Sequence, residues 1–286
     1  MKRDRLYSPK VIKQVLDKFN FTFSKGLGQN FLIDGNVVRG ISQSANITKE
    51  DNVLEIGPGF GTLTEELLLK AKKVVAIEID QRLLRVLDYT LSDFDNLEVI
   101  NQDVLKIDFD KLVEEKFGGE PFKVVANLPY YITTPIITTL IEKRLPVKSM
   151  TFMVQKEVAD RMVADPGNKQ YGSLTLFINF YATAKAVVKA PKSVFIPQPK
   201  VDSVVVQLDL KDDLPKVNQE ILFKLIHGGF QQRRKNILNS LTSDKSLYLS
   251  KDEMGLILDN LGINKNSRAE NLSLQDYINI ANIIDV

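Results

Sequence analysis

Hydrophobic and polar positions along the chain keep two different rhythms, and the change between them falls near residue 210. Before it, from about residue 52, short β-branched runs alternate with stretches whose apolar residues recur at helical spacing. The runs at 52–57, 73–79, 97–101, 122–127, 149–155, 174–181 and 203–210 predict strands. Leu63, Leu67 and Leu68, then Leu83, Leu84 and Leu87, mark helices between the early ones. Strand, helix, strand, helix predicts an α/β domain with helices on both faces of its sheet. The polar segment 210–216, broken by Pro215, closes that region, and no strand pattern follows it. Apolar stripes at 218–230, 232–241, 251–261 and 273–284 predict a smaller all-α domain. The expected division is therefore 1–210, with an N-terminal extension over 1–30, and 211–286. Within the extension, 9–19 reads as an amphipathic helix and Ser24-Lys-Gly-Leu-Gly-Gln-Asn30 as a loop.

Composition removes whole classes of chemistry. The 286 residues include no cysteine and one histidine, His227. Disulfides, thiolate zinc sites, iron–sulfur clusters and cysteine nucleophiles are excluded, as is a multi-histidine metal centre, so no metal is expected. A Ser-His-Asp triad could run only through His227, which reads as a structural helix residue. No run reaches the ~18 apolar residues of a membrane span, and the N-terminus lacks the apolar stretch of a secretory signal. A cytoplasmic protein without a membrane partner is expected.

The net charge of +2 hides an asymmetry. Residues 50–120 carry 17 acidic and 8 basic side chains, whereas the first 25 carry seven basic against two acidic ones. Residues 166–200 hold five lysines and no acid, and Gln231-Gln232-Arg233-Arg234-Lys235 adds a compact basic cluster. Three basic segments could meet on one polyanion-binding face; solvated surface lysine is the plain alternative for each.

The informative chemistry sits at predicted strand ends. Glu55-Ile-Gly-Pro-Gly-Phe-Gly-Thr-Leu-Thr64 leaves the first strand and enters a helix, where Gly57 and Gly59 let the backbone approach a ligand closely. Thr62 occupies the place of the last glycine of a dinucleotide fingerprint, and no Gly-Lys-Ser/Thr is present, so NAD and a P-loop are disfavoured. Glu78 lies 21 residues after Gly57, where an acid accepts hydrogen bonds from ribose hydroxyls, and Asp103 follows the next strand. Glycine, carboxylate and carboxylate thus face one crevice, a set suited to a cationic or neutral nucleoside rather than a pyrophosphate. At the next strand end, in Asn127-Leu-Pro-Tyr130, Pro129 fixes its own φ and extends Leu128. The Asn127 side chain and the Leu128 carbonyl can then aim two acceptors at an exocyclic amine, while Tyr130 offers a stacking face.

These residues carry a resemblance. With Lys25-Gly-Leu-Gly-Gln-Asn-Phe-Leu32, Glu78-Ile-Asp80, Phe195-Ile-Pro-Gln-Pro-Lys-Val-Asp-Ser203 and Phe230-Gln-Gln-Arg-Arg-Lys235, the chain resembles, over nearly its whole length, the ribosomal RNA adenine N6-dimethyltransferases, most closely the small-subunit (16S) branch. The resemblance implies a Rossmann-like, seven-stranded class I methyltransferase domain with a helical C-terminal domain that contributes to RNA binding. It implies S-adenosyl-L-methionine as cofactor, held by Asn30, Leu32, Gly57, Glu78, Asp103 and Asn127. It implies dimethylation of N6 of two adjacent adenosines in a loop near the 3′ end of 16S ribosomal RNA, in the 30S subunit or its precursor, by a monomer. Asn127, Leu128, Pro129 and Tyr130 would orient the flipped adenine, with Phe195 stacking on it. Phosphates would be gripped by Lys2, Arg3, Arg5, Lys25, Lys189, Lys192, Lys200, Arg233, Arg234 and Lys235. For Phe195 the alternative is a core aromatic, although Pro197 and Pro199 favour an exposed loop.

Three other readings compete. A large-subunit (23S) adenine dimethylase that confers macrolide resistance would share fold and chemistry, but the motifs at 195–201 and 230–235 look more like the small-subunit branch. A non-catalytic assembly factor would have no need of intact Glu78, Asp103 and Asn127-Leu-Pro-Tyr130. A dehydrogenase is disfavoured by Thr62.

Overall fold

Runs of β-branched residues flanked by helices on both sides can bury both faces of a strand, and the centre of this chain does so. The computed structural model describes residues 5–243 and 249–285. Its strands are β1 (Phe31–Leu32), β2 (Asn52–Ile56), β3 (Lys73–Glu78), β4 (Leu97–Asn101), β5 (Phe122–Asn127), β6 (Val147–Gln155), β7 (Ala182–Ala190), β8 (Phe195–Ile196) and β9 (Ser203–Leu210). Its α-helices, among the described residues, are α1 (Pro9–Phe19), α2 (Gly35–Ser44), α3 (Thr62–Leu68), α4 (Gln81–Thr90), α5 (Phe109–Phe117), α6 (Thr133–Glu142), α7 (Lys156–Met162), α8 (Ser173–Tyr181), α9 (Gln219–Gln231), α10 (Ile237–Leu241), α11 (Lys251–Asn260) and α12 (Leu274–Ile284).

Seven strands form one sheet in the order β4-β3-β2-β5-β6-β9-β7. The pairs of β2 with β3 and β5, of β3 with β4 and of β5 with β6 are parallel, and β9 returns antiparallel along β6. Every residue of β2 is buried, and Val53 and Val74 are fully inaccessible within a core that also takes in Val38 and Ile41 of α2 and Leu67 of α3. Each such side chain contributes roughly 1.5–3 kcal/mol. The chain runs outward from β2 through β3 to β4 and then returns to the other side of β2 with β5, so the carboxyl ends of β2, β3 and β5 open a crevice at the switch point. β1 and β8 form a separate antiparallel pair, Phe31 opposite Ile196 and Leu32 opposite Phe195.

The chain divides into two compact units, one of Met1–Ala159 with Lys185–Leu210 and one of Asp160–Ala184 with Lys211–Val286. The second unit therefore includes a segment that the sequence reading placed before residue 210. Part of that segment is also the clearest departure in secondary structure. Residues 174–181, expected as a strand, form α8, because a short apolar run has no period that separates strand from buried helix and tertiary packing decides. Leu176, Ile178 and Phe180 are buried, and Phe177, Phe180 and Tyr181 gather around Phe223 of α9. The strand lies one segment later, in the lysine-bearing β7 at the sheet edge, where half-exposure removes the hydrophobic signal. The helix expected over 232–241 starts only at Ile237, capped by the Asn236 side chain, and leaves 232–235 as a turn.

Candidate active site

The site lies wholly in the first unit, in a cleft of about 960 Å³ counting its open mouth. Four carboxyl-terminal strand ends form its floor, and residues 27–30 form one wall. At the end of β2 the chain must turn sharply beneath that wall, and Gly57, Gly59 and Gly61 do so at positive φ. Two of them also make room. A Cβ on Gly59 would stand 2.7 Å from the Phe31 ring, and one on Gly57 would point at the Asn127 carbonyl oxygen at 3.7 Å.

Glu78 ends β3 with its side chain 5% exposed. Its Oε1 accepts the Asp80 N–H at 2.8 Å and its Oε2 the Gly59 N–H at 3.4 Å, which ties the acid to the glycine turn. Burial pushes its carboxyl up to about 7, with the backbone N–H groups of Asp80, Gly59 and Ile79 pulling the other way. Glu55 of β2, fully buried beside the same cleft, is pushed up to about 8 by burial, and the charge of Glu78 adds to the effect. Glu55 Oε2 has no hydrogen-bond partner among the described residues. The sequence reading did not single Glu55 out, although a carboxylate inside the apolar run Val53-Leu54-Glu55-Ile56 was a signal. Asp103 caps the turn after β4, accepting the Leu105 N–H at 3.0 Å, and lines the same cleft as Glu78.

β5 delivers Asn127 to the centre. Its Nδ2 donates to the Asn30 carbonyl at 3.1 Å, which leaves Oδ1 as an acceptor. Leu128 is buried and its N–H is bound by the Met153 carbonyl at 3.1 Å, so β6 holds the residue in place. The Pro129 carbonyl accepts the Thr133 hydroxyl at 3.0 Å and so anchors the start of α6. Tyr130 lines the cleft with its hydroxyl 2.7 Å from Ser203 Oγ, and burial raises its phenol above the ordinary range. Ser203, the first residue of β9, is thus a support that the sequence reading quoted only as part of a motif. Asn30 folds its amide back onto the Gly28 carbonyl at 3.0 Å, and Leu32 is buried at the cleft wall.

Phe195 takes a different place from the one expected. It is 2% exposed, lies opposite Leu32 in the β1–β8 pair and packs with Val205 and Met153 in the core, away from the cleft. Its flanking prolines do not expose it, because the strand pairing turns its ring inward. The aromatic residues that line the cleft are Phe31, Tyr130 and Tyr131, the last 55% exposed with its ring against Gly28.

The expected phosphate contacts divide. Lys2 and Arg3 lie outside the described residues, as does the side chain of Lys25. Arg5 Nη1 approaches Glu65 at 3.8 Å. Lys189, Lys192 and Lys200 are exposed on the first unit, and Arg234 and Lys235 on the turn after α9 in the second. Arg233, exposed like its two neighbours, also donates to the carbonyls of Tyr171 at 2.6 Å and Lys169 at 2.9 Å, with Glu270 at 3.5 Å. No group of His, Asp and Glu with metal-binding geometry occurs among the described residues, and none of their helices is long and apolar enough to cross a membrane.

Comparison with known proteins gives this arrangement a family context. A family model described as ribosomal RNA adenine dimethylase matches residues 20–286. The ribosomal RNA small subunit methyltransferase A of Clostridioides difficile (strain 630) is 50% identical over 284 residues, covering 99% of this chain and 98% of that protein. The crystal structure of a dimethyladenosine transferase from Plasmodium falciparum superposes with a TM-score of 0.75 at 31% identity, covering 89% of this chain and 97% of that one. That of the 23S rRNA methyltransferase ErmE superposes with a TM-score of 0.71 at 27% identity, covering 90% of this chain and 100% of that one.

Proposed function

This chain belongs to the ribosomal RNA adenine dimethylase family, and from that premise we propose that it dimethylates N6 of adenosines in small-subunit (16S) ribosomal RNA, with S-adenosyl-L-methionine as methyl donor. Two adjacent adenosines in a loop near the 3′ end, presented by the 30S subunit or its precursor in the cytoplasm to a monomeric enzyme, are the target this reading carries. The observation that supports it best is the set of acceptors at the strand ends that line one cleft: Glu78, Asp103 and Asn127, whose Oδ1 is left as an acceptor.

The donor set fits the cofactor. Glu78 accepts from ribose hydroxyls, Asp103 from an adenine amino group, and Gly57 and Gly59 present bare backbone to the cleft. The orphaned Glu55 Oε2 and the wall residues Asn30 and Leu32 complete the cradle. When bound, S-adenosylmethionine supplies a methyl group already activated by its sulfonium. The task of the chain is then placement. Adenine N6 is a weak nucleophile because its lone pair is delocalised into the ring. Asn127 Oδ1 and the Leu128 carbonyl would accept the two N–H bonds of a bound adenine and so favour a pyramidal and more nucleophilic nitrogen. Tyr130 stacks on the flipped base and returns about 1–3 kcal/mol against the unstacking cost. Lys189, Lys192, Lys200, Arg234 and Lys235 bind phosphate.

The test is transfer of labelled methyl to undermethylated 30S and 50S subunits, followed by mass analysis of the nucleosides. Dimethyladenosine in small-subunit RNA alone is the expected result. Label only in the large subunit would assign the chain to 23S RNA, and no transfer to either, with RNA binding retained, would make it an assembly factor.

A further inference from the structure

The amide of Asn127 can serve the target amine in only one of its two orientations. With Nδ2 turned to the Asn30 carbonyl, Oδ1 is the acceptor that an N–H bond requires; turned over, the side chain would present N–H to N–H. The position of one backbone carbonyl therefore sets the chemistry of the site. That carbonyl belongs to a loop residue, between a short 3-10 turn and the two-residue strand β1, so neither helix nor sheet holds it.

Gln29, its neighbour, is tied at both ends of its side chain. Oε1 accepts the Ser24 N–H at 2.8 Å, which closes the loop on itself, and Nε2 donates to Asp80 Oδ2 at 2.7 Å. Asp80 is a fixed post. It is 6% exposed, and Arg82 grips it through Nε at 2.9 Å and Nη2 at 2.6 Å. Arg82 also donates to the Thr22 carbonyl at 3.2 Å, at the start of the same loop, and lies over the Phe21 ring. The Asp80 N–H in turn holds Glu78 Oε1. One sequence of contacts thus runs from the ribose-binding acid through Asp80 and Gln29 to Asn30 and the amide of Asn127.

We propose that Gln29 is a positioning residue for methyl transfer: by latching the 22–30 loop to Asp80 it keeps the Asn30 carbonyl where it fixes the amide orientation of Asn127. The latch rests on the reading of Asn127 as acceptor of the target amine. It requires of Gln29 no contact with either the base or the methyl group.

The variants are Gln29→Leu, which keeps the bulk and loses both hydrogen bonds, and Gln29→Glu, which keeps the acceptor for Ser24 and sets a carboxylate against Asp80. Should the leucine variant fail to fold, the glutamate variant reads the same bond. Three quantities are measured: kcat and KM for undermethylated 30S subunits, the dissociation constant of S-adenosylhomocysteine, and the side-chain amide resonance of Asn127 in protein labelled with 15N-asparagine. The expected result is a fall in kcat of about tenfold, with KM within twofold, the dissociation constant within threefold, and a displaced Asn127 resonance. An unmoved resonance overturns the latch whatever the rate does. So does an unchanged kcat, or a loss confined to S-adenosylhomocysteine binding, which would make Gln29 a cofactor residue. Wild-type protein and Asn127→Ala run alongside. A wild type that transfers no methyl rejects the underlying function, an active Asn127→Ala rejects the reading of Asn127 as acceptor on which the latch rests, and an active wild type, an inactive Asn127→Ala and normal Gln29 variants reject the latch alone.

Discussion

Replacing Glu78 by glutamine should make the free protein more stable and the cofactor complex weaker, and pH separates the two effects. The carboxyl has a reference value of 4.5 and is pushed up to about 7 by burial. A carboxylate raised in this way costs the fold nothing below its unfolded value. The cost grows from pH 4.5 to 7 and stays constant above, reaching roughly 3 kcal/mol. A glutamine carries no such cost. It also gives up one of the two backbone donors now shared between Oε1 and Oε2, a loss of about 1 kcal/mol that does not depend on pH. The stability gap in favour of Glu78→Gln should therefore widen by about 2–3 kcal/mol between pH 5 and pH 8.5, or roughly 5–8 °C in melting temperature. Glu55 is present in both proteins, and removal of the neighbouring charge lowers its own penalty, which acts in the same direction. Thermal melts of ligand-free protein across that range measure the gap. A constant difference would refute the assignment of a buried, high-pKa acid to this strand end. The same variant should bind S-adenosylhomocysteine about 10- to 100-fold more weakly at pH 8.5, since ionised acceptors are worth about 1.5–3 kcal/mol. In the wild type, affinity should rise with pH through 7 as the carboxylate forms.

Other perturbations have equally definite outcomes. Asn127→Ala should reduce methyl transfer by more than a hundredfold while 30S binding, measured by filter retention, stays within twofold. Gly59→Ala places a methyl 2.7 Å from the Phe31 ring at a positive φ, so chemical denaturation should show a loss of about 1–3 kcal/mol. Arg233→Ala should cost about 1 kcal/mol of stability by freeing the Tyr171 and Lys169 carbonyls, and leave the salt dependence of 30S binding unchanged. The double variant Arg234→Glu with Lys235→Glu should instead leave stability intact and flatten the logarithmic salt slope by about 2.

Much of the architecture is legible in the sequence because the parallel strands are buried on both faces and announce themselves as β-branched runs. Six of the seven expected strands stand within two residues of their predicted bounds at each end, and 9–19 is α1 to the residue. The failures have one physical origin, a side chain whose fate depends on a distant partner. Residues 174–181 carry the apolar content of a strand, and contact with Phe223 makes them a helix. Phe195 sits between prolines as an exposed residue would, yet pairing with β1 turns it into the core. Arg233, exposed in the same basic run as Arg234 and Lys235, also binds carbonyls 62 and 64 residues away, contacts the run does not announce. Asn127, Glu78 and Asp103 were legible because strand ends in such a sheet face one crevice whatever the rest of the chain does. The carbonyl of Asn30 was not, since backbone atoms leave no mark in a sequence.

The bond between Tyr130 and Ser203 gives the site a history in time as well as a shape. Every residue proposed to hold the cofactor lies between positions 30 and 127, and apart from Asn30 and Leu32, the latter on β1 against β8, they stand at the ends of β2 to β5, which pair with one another. The anchor of the stacking ring arrives with β9, which enters the sheet beside β6 only after the chain has passed residue 203. During synthesis the four strand ends beneath the methyl donor are thus available first, whereas the Leu32 wall and the anchor of the stacking ring both wait for segments from much later in translation.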